Sequence, residues 1–191
     1  MSDAVLPSPP ITYAPLPYES RLARRPLGHI DMVVIHCTEL PDMAMARDYG
    51  ERVLYDSGTG NSGHYYIDRN GSIQQYVALE RVAHHVRGHN PHTLGIELVN
   101  RGRYPHWLDS RHQLMSEAYP EPQIGALITL LQWLQQQLPS VRRIAGHQEL
   151  DTTQEAASDD PSRKIQRKLD PGPLFPWSRI HAAVGWSHSL R

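Results

Sequence analysis

Apolar residues recur along this chain in two rhythms, and each rhythm predicts a kind of element. Met32-Val33-Val34-Ile35, within residues 30–36, is apolar at consecutive positions, as in a strand buried on both faces with helices on either side. Leu94-Gly95-Ile96-Glu97-Leu98-Val99 predicts a second strand, and residues 142–146 a short third one that delivers His147. Residues 63–69 and 72–77 flank Asn70-Gly71; because both turn residues accept positive φ, the pattern predicts a β-hairpin with a type I′ turn. Helical spacing appears three times. Met43, Ala46, Tyr49 and Val53 predict a helix over residues 42–56, ended by Ser57-Gly58-Thr59-Gly60. Ile124, Leu127, Ile128, Leu131, Leu134 and Leu138 form one face of a helix that starts near Pro122 and stops before Pro139. Residues 176–184 predict a closing helix. The alternation of the two rhythms is that of an α/β domain.

The remaining stretches break both rhythms. Residues 1–28 carry Pro7, Pro9, Pro10, Pro15, Pro17 and Pro26 without apolar periodicity and predict an extended N-terminal arm. Residues 101–119 predict a long surface loop along one side of a cleft. The domain proper is expected over residues 29–185, with a C-terminal tail over 186–191.

Composition narrows the class. A chain of 191 residues, 39% apolar, fits one domain with a full core. With 19 basic against 20 acidic residues there is no broad attraction to nucleic acid or to an anionic membrane, so any anion must be recognised locally. Cys37 is the only cysteine, which excludes an internal disulfide. No apolar run is long enough to span a bilayer, and no secretory signal pattern is present. A cytoplasmic location is the expectation, with the periplasm or cell envelope the alternative.

Twelve histidines are the compositional surplus, and they bear on chemistry. In the last third, His147 offers an imidazole, Asp170 a carboxylate and Lys168 a nearby positive charge. A catalytic zinc takes three protein ligands and keeps a fourth position open, so a distant segment must supply another ligand. His36, at the end of the first strand, is the best candidate; its alternative is a core histidine satisfied by a neighbour. Alternation along the strand points His36 and Cys37 to opposite faces. Glu97, a lone carboxylate in an apolar strand, must face a polar cavity or a cation, because burying it unpaired costs several kcal/mol. His84, His85, His89 and His92, with Arg81 and Arg87, form either a substrate-contacting wall or surface decoration. Lys168 is either a solvated lysine in a basic run or a charge held against the metal site.

Taken in order, His36 after Val-Val-Ile, Gly63-His64-Tyr65, Arg69-Asn70-Gly71, His85, Gly95-Ile96-Glu97-Leu98-Val99-Asn100, Ala145-Gly146-His147 and Lys168-Leu169-Asp170-Pro171-Gly172-Pro173 resemble the motifs of the zinc-dependent N-acetylmuramoyl-L-alanine amidases of the AmpD/AmiD type (amidase type 2). The resemblance runs over about residues 30–180. It implies a mixed central β-sheet flanked by α-helices, zinc (Zn2+) held by His36, His147 and Asp170, and catalytic assistance from Glu97 and Lys168. The implied reaction is hydrolysis of the lactyl amide joining muramic acid to L-alanine in murein or muropeptides; a catalytically silent peptidoglycan-binding module of the same fold is the alternative. His64, His85, Arg87 and Asn100 are the expected substrate contacts. Two features depart from the family: the acidic loop at residues 150–163, with Asp151, Glu155, Asp159 and Asp160, is longer, and His84 replaces a tryptophan.

Overall fold

The six side chains of one strand are all buried, because neighbours pair with it on both edges and packed layers cover both of its faces. This is β2 (Met32–Cys37) in a computed structural model that describes residues 6–188. The order along the chain begins with β1 (Ile11–Tyr13), followed by β2, α1 (Met43–Glu51), β3 (Tyr65–Ile67), β4 (Ile73–Gln75) and β5 (Thr93–Leu98). It continues with α2 (Glu121–Gln137), β6 (Arg143–Gly146), α3 (His147–Leu150), β7 (Gln154–Ala156), β8 (Lys164–Gln166), α4 (Trp177–Ala183) and β9 (Ser187–His188). Seven strands make one mixed sheet in the order β1-β4-β3-β5-β2-β6-β9, while β7 and β8 pair as a separate ribbon. Only the β3/β4 pair is antiparallel in the large sheet.

Alternation assigns the two faces of this sheet different work. Val33 and Ile35 of β2, with Leu94, Ile96 and Leu98 of β5, pack on the apolar stripe of α2 and on Ile180 of α4. That stripe includes Leu130, which the sequence pattern omitted, whereas Ile128 is only partly buried. Met32 and Val34 face the other way, against Val86 and Ala145. Beyond them, α1 and the N-terminal segment close the second layer through Ala46, Leu16, Tyr18 and Leu22.

Several boundaries differ from expectation for definable reasons. The helix expected over residues 42–56 starts as predicted, with Asp42 accepting from Met45 N at 2.8 Å, but it stops at Glu51. Val53, Leu54 and Tyr55 have no core to cover, and the amides of Leu54 and Tyr55 instead donate to Thr59 O. The hairpin forms, but not with a type I′ turn. Gly71 N donates to Asp68 O, and only Gly71 of the two turn residues has positive φ, which is a type I turn followed by a glycine bulge. The proline-rich arm is docked: β1 pairs in parallel with β4, and Leu16, Tyr18 and Leu22 are buried. At the other end, Trp186 is buried and β9 extends the sheet beside β6. Residues 1–5 of the arm and 189–191 of the expected tail lie outside the described residues.

Candidate functional site

Register builds the site. His36 is paired with Glu97 across β2/β5, and Glu97 with Tyr66 across β5/β3. On the other side Ile35 is paired with Gly146, so the next step brings His147 level with His36 as the chain leaves β6 for α3. Neighbouring residues of a parallel ladder share a face, which places Tyr66, Glu97, His36 and His147 in one row near the carboxyl ends of the strands. Asp170 enters from the last loop, its carbonyl accepting from Gln148 N at 3.0 Å. The start of α3 is held by Glu149, which accepts from Gly146 N at 2.6 Å and contacts His188 Nε2 at 2.7 Å.

Three ligand atoms converge in the centre of this row. His36 Nδ1 lies 2.9 Å from His147 Nδ1, and each is 3.1 Å from Asp170 Oδ2; all three residues are buried. The proton positions follow from the neighbouring hydrogen bonds. Thr93 Oγ1 donates to His89 O at 3.0 Å, so it must accept from His85 Nε2 at 3.1 Å. His85 Nδ1 is then an acceptor, and His36 Nε2 must donate to it across 2.9 Å. This leaves His36 Nδ1 with a lone pair that faces the lone pairs of Asp170. Burial, with His147 alongside, lowers the His36 pKa to about 4, so a second proton does not relieve the conflict at neutral pH. A cation does. The donor set of two imidazoles and one carboxylate suits zinc, and Asp170 Oδ1, buried without a hydrogen-bond partner among the described residues, leaves that carboxylate a second oxygen for a bound group. Burial opposes ionisation of Asp170, but the two histidines and Lys168 outweigh it and hold its carboxyl well below the ordinary range.

The centre opens into a cavity of about 710 Å³. Glu97 lines it, its Oε1 3.9 Å from His36 Nδ1, and burial together with the charge of Asp170 raises its pKa to about 8 against the opposing pull of Lys168. Lys168 also lines the cavity and makes no hydrogen bond or ion pair among the described residues. Gly95 explains how so many rings fit: a Cβ there would lie 2.6 Å from Cγ of His85, so only a glycine leaves the floor on which that imidazole rests.

The structure sorts the expected substrate contacts. Arg87 stands exposed at the cavity edge. His85 borders the cavity, but its ring is engaged on both sides by His36 and Thr93. His64 and Asn100 do not border it. The His64 ring accepts from Gly95 N and contacts Arg81 O in the interior, while Asn100 binds Glu117 O and Gly102 N and so ties a loop together. Both belong to the motifs that carry the resemblance, yet each has its hydrogen-bonding capacity used by the fold. Of the acidic residues at 150–163, Asp151, Asp159 and Asp160 are engaged elsewhere, with Arg167, Ser110 and Ser162 respectively, while Glu155 borders the cavity. Sequence reasoning missed Thr93 and a buried Glu39–Arg103 ion pair in the cavity wall. For Thr93, a hydroxyl at a site-facing position of the Glu97 strand was the available signal.

Two imidazoles and a carboxylate gathered at strand ends, with a further carboxylate beside them, are the arrangement of metal-dependent hydrolases. The family pattern described as N-acetylmuramoyl-L-alanine amidase matches residues 25–173, and the chain belongs to that family. Among curated relatives, the 1,6-anhydro-N-acetylmuramyl-L-alanine amidase AmpD of Enterobacter cloacae is 29% identical over 127 residues, covering 62% of this chain and 54% of the relative. The match thus spans about half the length of that relative. Among solved structures, AmiD from E. coli, in complex with anhydro-N-acetylmuramic acid-L-Ala-D-gamma-Glu-L-Lys, aligns with a TM-score of 0.61 at 25% identity over 83% of this chain and 58% of that one. Drosophila PGRP-LB shares the fold, with a TM-score of 0.62 at 17% identity over 94% of this chain and 97% of that one. No helix among the described residues is long and apolar enough to cross a membrane.

Proposed function

We propose that this chain is a zinc-dependent hydrolase that cleaves the amide between the lactyl group of N-acetylmuramic acid, or its 1,6-anhydro form, and L-alanine in peptidoglycan fragments. The observation that carries this reading is the convergence of His36 Nδ1, His147 Nδ1 and Asp170 Oδ2, with the His36 lone pair facing the carboxylate and Glu97 one strand away. His36, His147 and Asp170 would hold the zinc, which when bound would lower the pKa of water toward 7 and polarise the scissile carbonyl.

The protein's own groups carry the rest of the chemistry. A cation on Asp170 offsets the charge that opposes ionisation of Glu97, so that in the loaded site the Glu97 carboxylate takes a proton from the attacking water and hands it to the L-alanine nitrogen as the C–N bond breaks. The oxygen of the water ends in the lactyl carboxyl group and the proton on the freed amine. The Lys168 ammonium stabilises the negative charge that builds on the carbonyl oxygen. His85 and Thr93 hold the His36 ring in one tautomer. Arg87, at the rim, is placed to meet a carboxylate of the peptide. A muropeptide substrate is supported by the name of the Enterobacter relative and by the ligand in the AmiD complex.

The test is digestion of intact sacculi and of purified anhydro-muropeptides in parallel by zinc-loaded protein, with products identified by mass. A new L-alanine amino terminus matched by a free lactyl acid is the expected result. Binding of either material without a new amine would make the chain a recognition module instead.

A further inference from the structure

Lys168 has a task that depends on position, yet no partner holds its side chain among the described residues, so its backbone must be held for it. The segment leading into it meets a buried guanidinium that forms part of the cavity wall. Arg103 is 3% exposed, and its five N–H groups have five acceptors. Nε donates to Glu39 Oε1 at 2.7 Å and Nη2 to Glu39 Oε2 at 2.8 Å. The other three reach Gln113 Oε1 at 3.1 Å, Gln166 O at 3.1 Å and Arg167 O at 3.0 Å. The last two are the carbonyls of the two residues before Lys168.

The rest of the network holds the guanidinium still. Trp107 Nε1 donates to Glu39 O at 3.0 Å, and Glu39 itself has φ of 49°. Gly102, at φ +50°, passes so close that a Cβ there would lie 2.6 Å from Glu39 Cγ. A buried ion pair contributes little net stability compared with apolar residues of the same size. What this one supplies is direction: two parallel hydrogen bonds from a planar group onto consecutive carbonyls. On the far side of Lys168 the chain has separate anchors, Gln148 N on Asp170 O at 3.0 Å and Tyr119 Oη on Pro171 O at 2.6 Å. The metal ligand is therefore held independently of Arg103. Outside this network, Arg167 N donates to Thr153 O at 2.9 Å, and the Arg167 side chain is tied to Asp151 and to Thr153 Oγ1.

We propose that Arg103, oriented by Glu39, is a positioning residue that aims the Lys168 ammonium at the reacting carbonyl without contributing to metal binding. The proposal rests on the role given to Lys168 above. Its test is a double-mutant cycle on a defined muramyl peptide, with kcat, KM, zinc per chain and Tm measured for Arg103→Gln, Lys168→Ala and the double variant. Arg103→Gln should lower kcat about 10- to 100-fold, the scale of a misplacement of about 1 Å, with KM little changed and zinc still bound one per chain. In the Lys168→Ala background the same change should lower kcat by less than about twofold, within the scatter of additivity.

Equal losses in both backgrounds, or zinc lost in step with kcat, would overturn the proposal while leaving the role of Lys168 intact. Unchanged kcat in Lys168→Ala alone would overturn both. Should Arg103→Gln not fold, Arg103→Lys keeps a cation against Glu39 but cannot reach both carbonyls at once, and it decides the matter by the same cycle; wild-type kcat in a folded Arg103→Lys protein sinks the idea.

Discussion

Alternate residues of the same strands live in two different chemistries. On one side of the sheet, Val33, Ile35, Leu94, Ile96 and Leu98 meet helices α2 and α4 in an apolar layer. On the other, His36 and Thr93 are buried and tied to His85 by direction as well as by contact, while half-buried Glu97 lines the cavity beside them. The first face tolerates exchange of shape for shape; the second depends on who donates and who accepts. The difference teaches that apolar burial stabilises the sheet, while the polar face uses that rigidity to hold groups that would otherwise repel one another.

The strongest break in the comparison is to remove a ligand from one face and a core side chain from the other. His147→Ala should abolish both zinc binding and turnover while leaving a folded protein, because two remaining protein ligands make a poor site. Leu127→Ala on α2 should do the reverse, costing about 2–5 kcal/mol of stability with kcat nearly unchanged in the folded fraction. Metal analysis, steady-state kinetics and urea titration of the two variants check both halves. If His147→Ala keeps one zinc per chain, the ligand set is wrong.

Glu97→Gln comes next. It keeps the shape but cannot accept a proton, so turnover should fall by about two to four orders of magnitude with zinc retained. Near-normal turnover would move the proton-transfer role to another group. A finer change is Thr93→Val, which removes the acceptor for His85 without altering size and should weaken zinc binding about 10- to 100-fold, the usual effect of losing an outer hydrogen-bond partner. Competition with a chelating dye measures it, and unaltered affinity would show that the tautomer relay is not needed.

The smallest effect is on stability against pH in the metal-free protein, and two signs compete. His36 and His64 have folded pKa values of about 4 and about 3, below the ordinary 6.5, chiefly because of burial, and His85 is also well below. Below pH 6.5 the unfolded chain binds protons that the folded chain refuses, so stability falls as pH drops. Glu97 acts in the opposite direction: with a folded value of about 8 against an ordinary 4.5, the folded chain keeps its proton and stability falls as pH rises through that window. Maximum stability should lie between about pH 6 and 7. Urea titrations of chelator-treated protein across that range locate it, and Glu97→Gln should remove only the alkaline decline.

Much of the apolar face could be read from the sequence, since spacing alone reports which side of α2 is covered. The stop of α1 could not be, because Val53 continues the helical spacing while no layer waits to receive it. On the polar face His36, Glu97, His147 and Asp170 were identifiable as a set, whereas their row arises from strand register, which joins residues far apart in the chain. His64 and Asn100 stand within the motifs, but their hydrogen bonds go to partners such as Gly95 and Glu117, which spacing along the chain does not reveal. Arg103 was hidden for a similar reason: its carboxylate partner lies 64 residues earlier.

Sequence distance within the metal centre also bears on how the protein comes into being. His36 and His147 are 111 residues apart, and His36 and Asp170 are 134 apart. A flexible chain does not bring such positions together on its own, so the unfolded protein offers the ion no comparable site, and association is reserved for molecules whose central strands have already paired. If zinc is held as proposed, its supply would act as a reservoir of stability: at a free concentration about a hundred times the dissociation constant, the folded form would gain about 2.7 kcal/mol over the unfolded one. A cell short of zinc would hold a larger unfolded fraction of this protein, open to proteases, so scarcity of the ion would reduce the amount of protein as well as its activity.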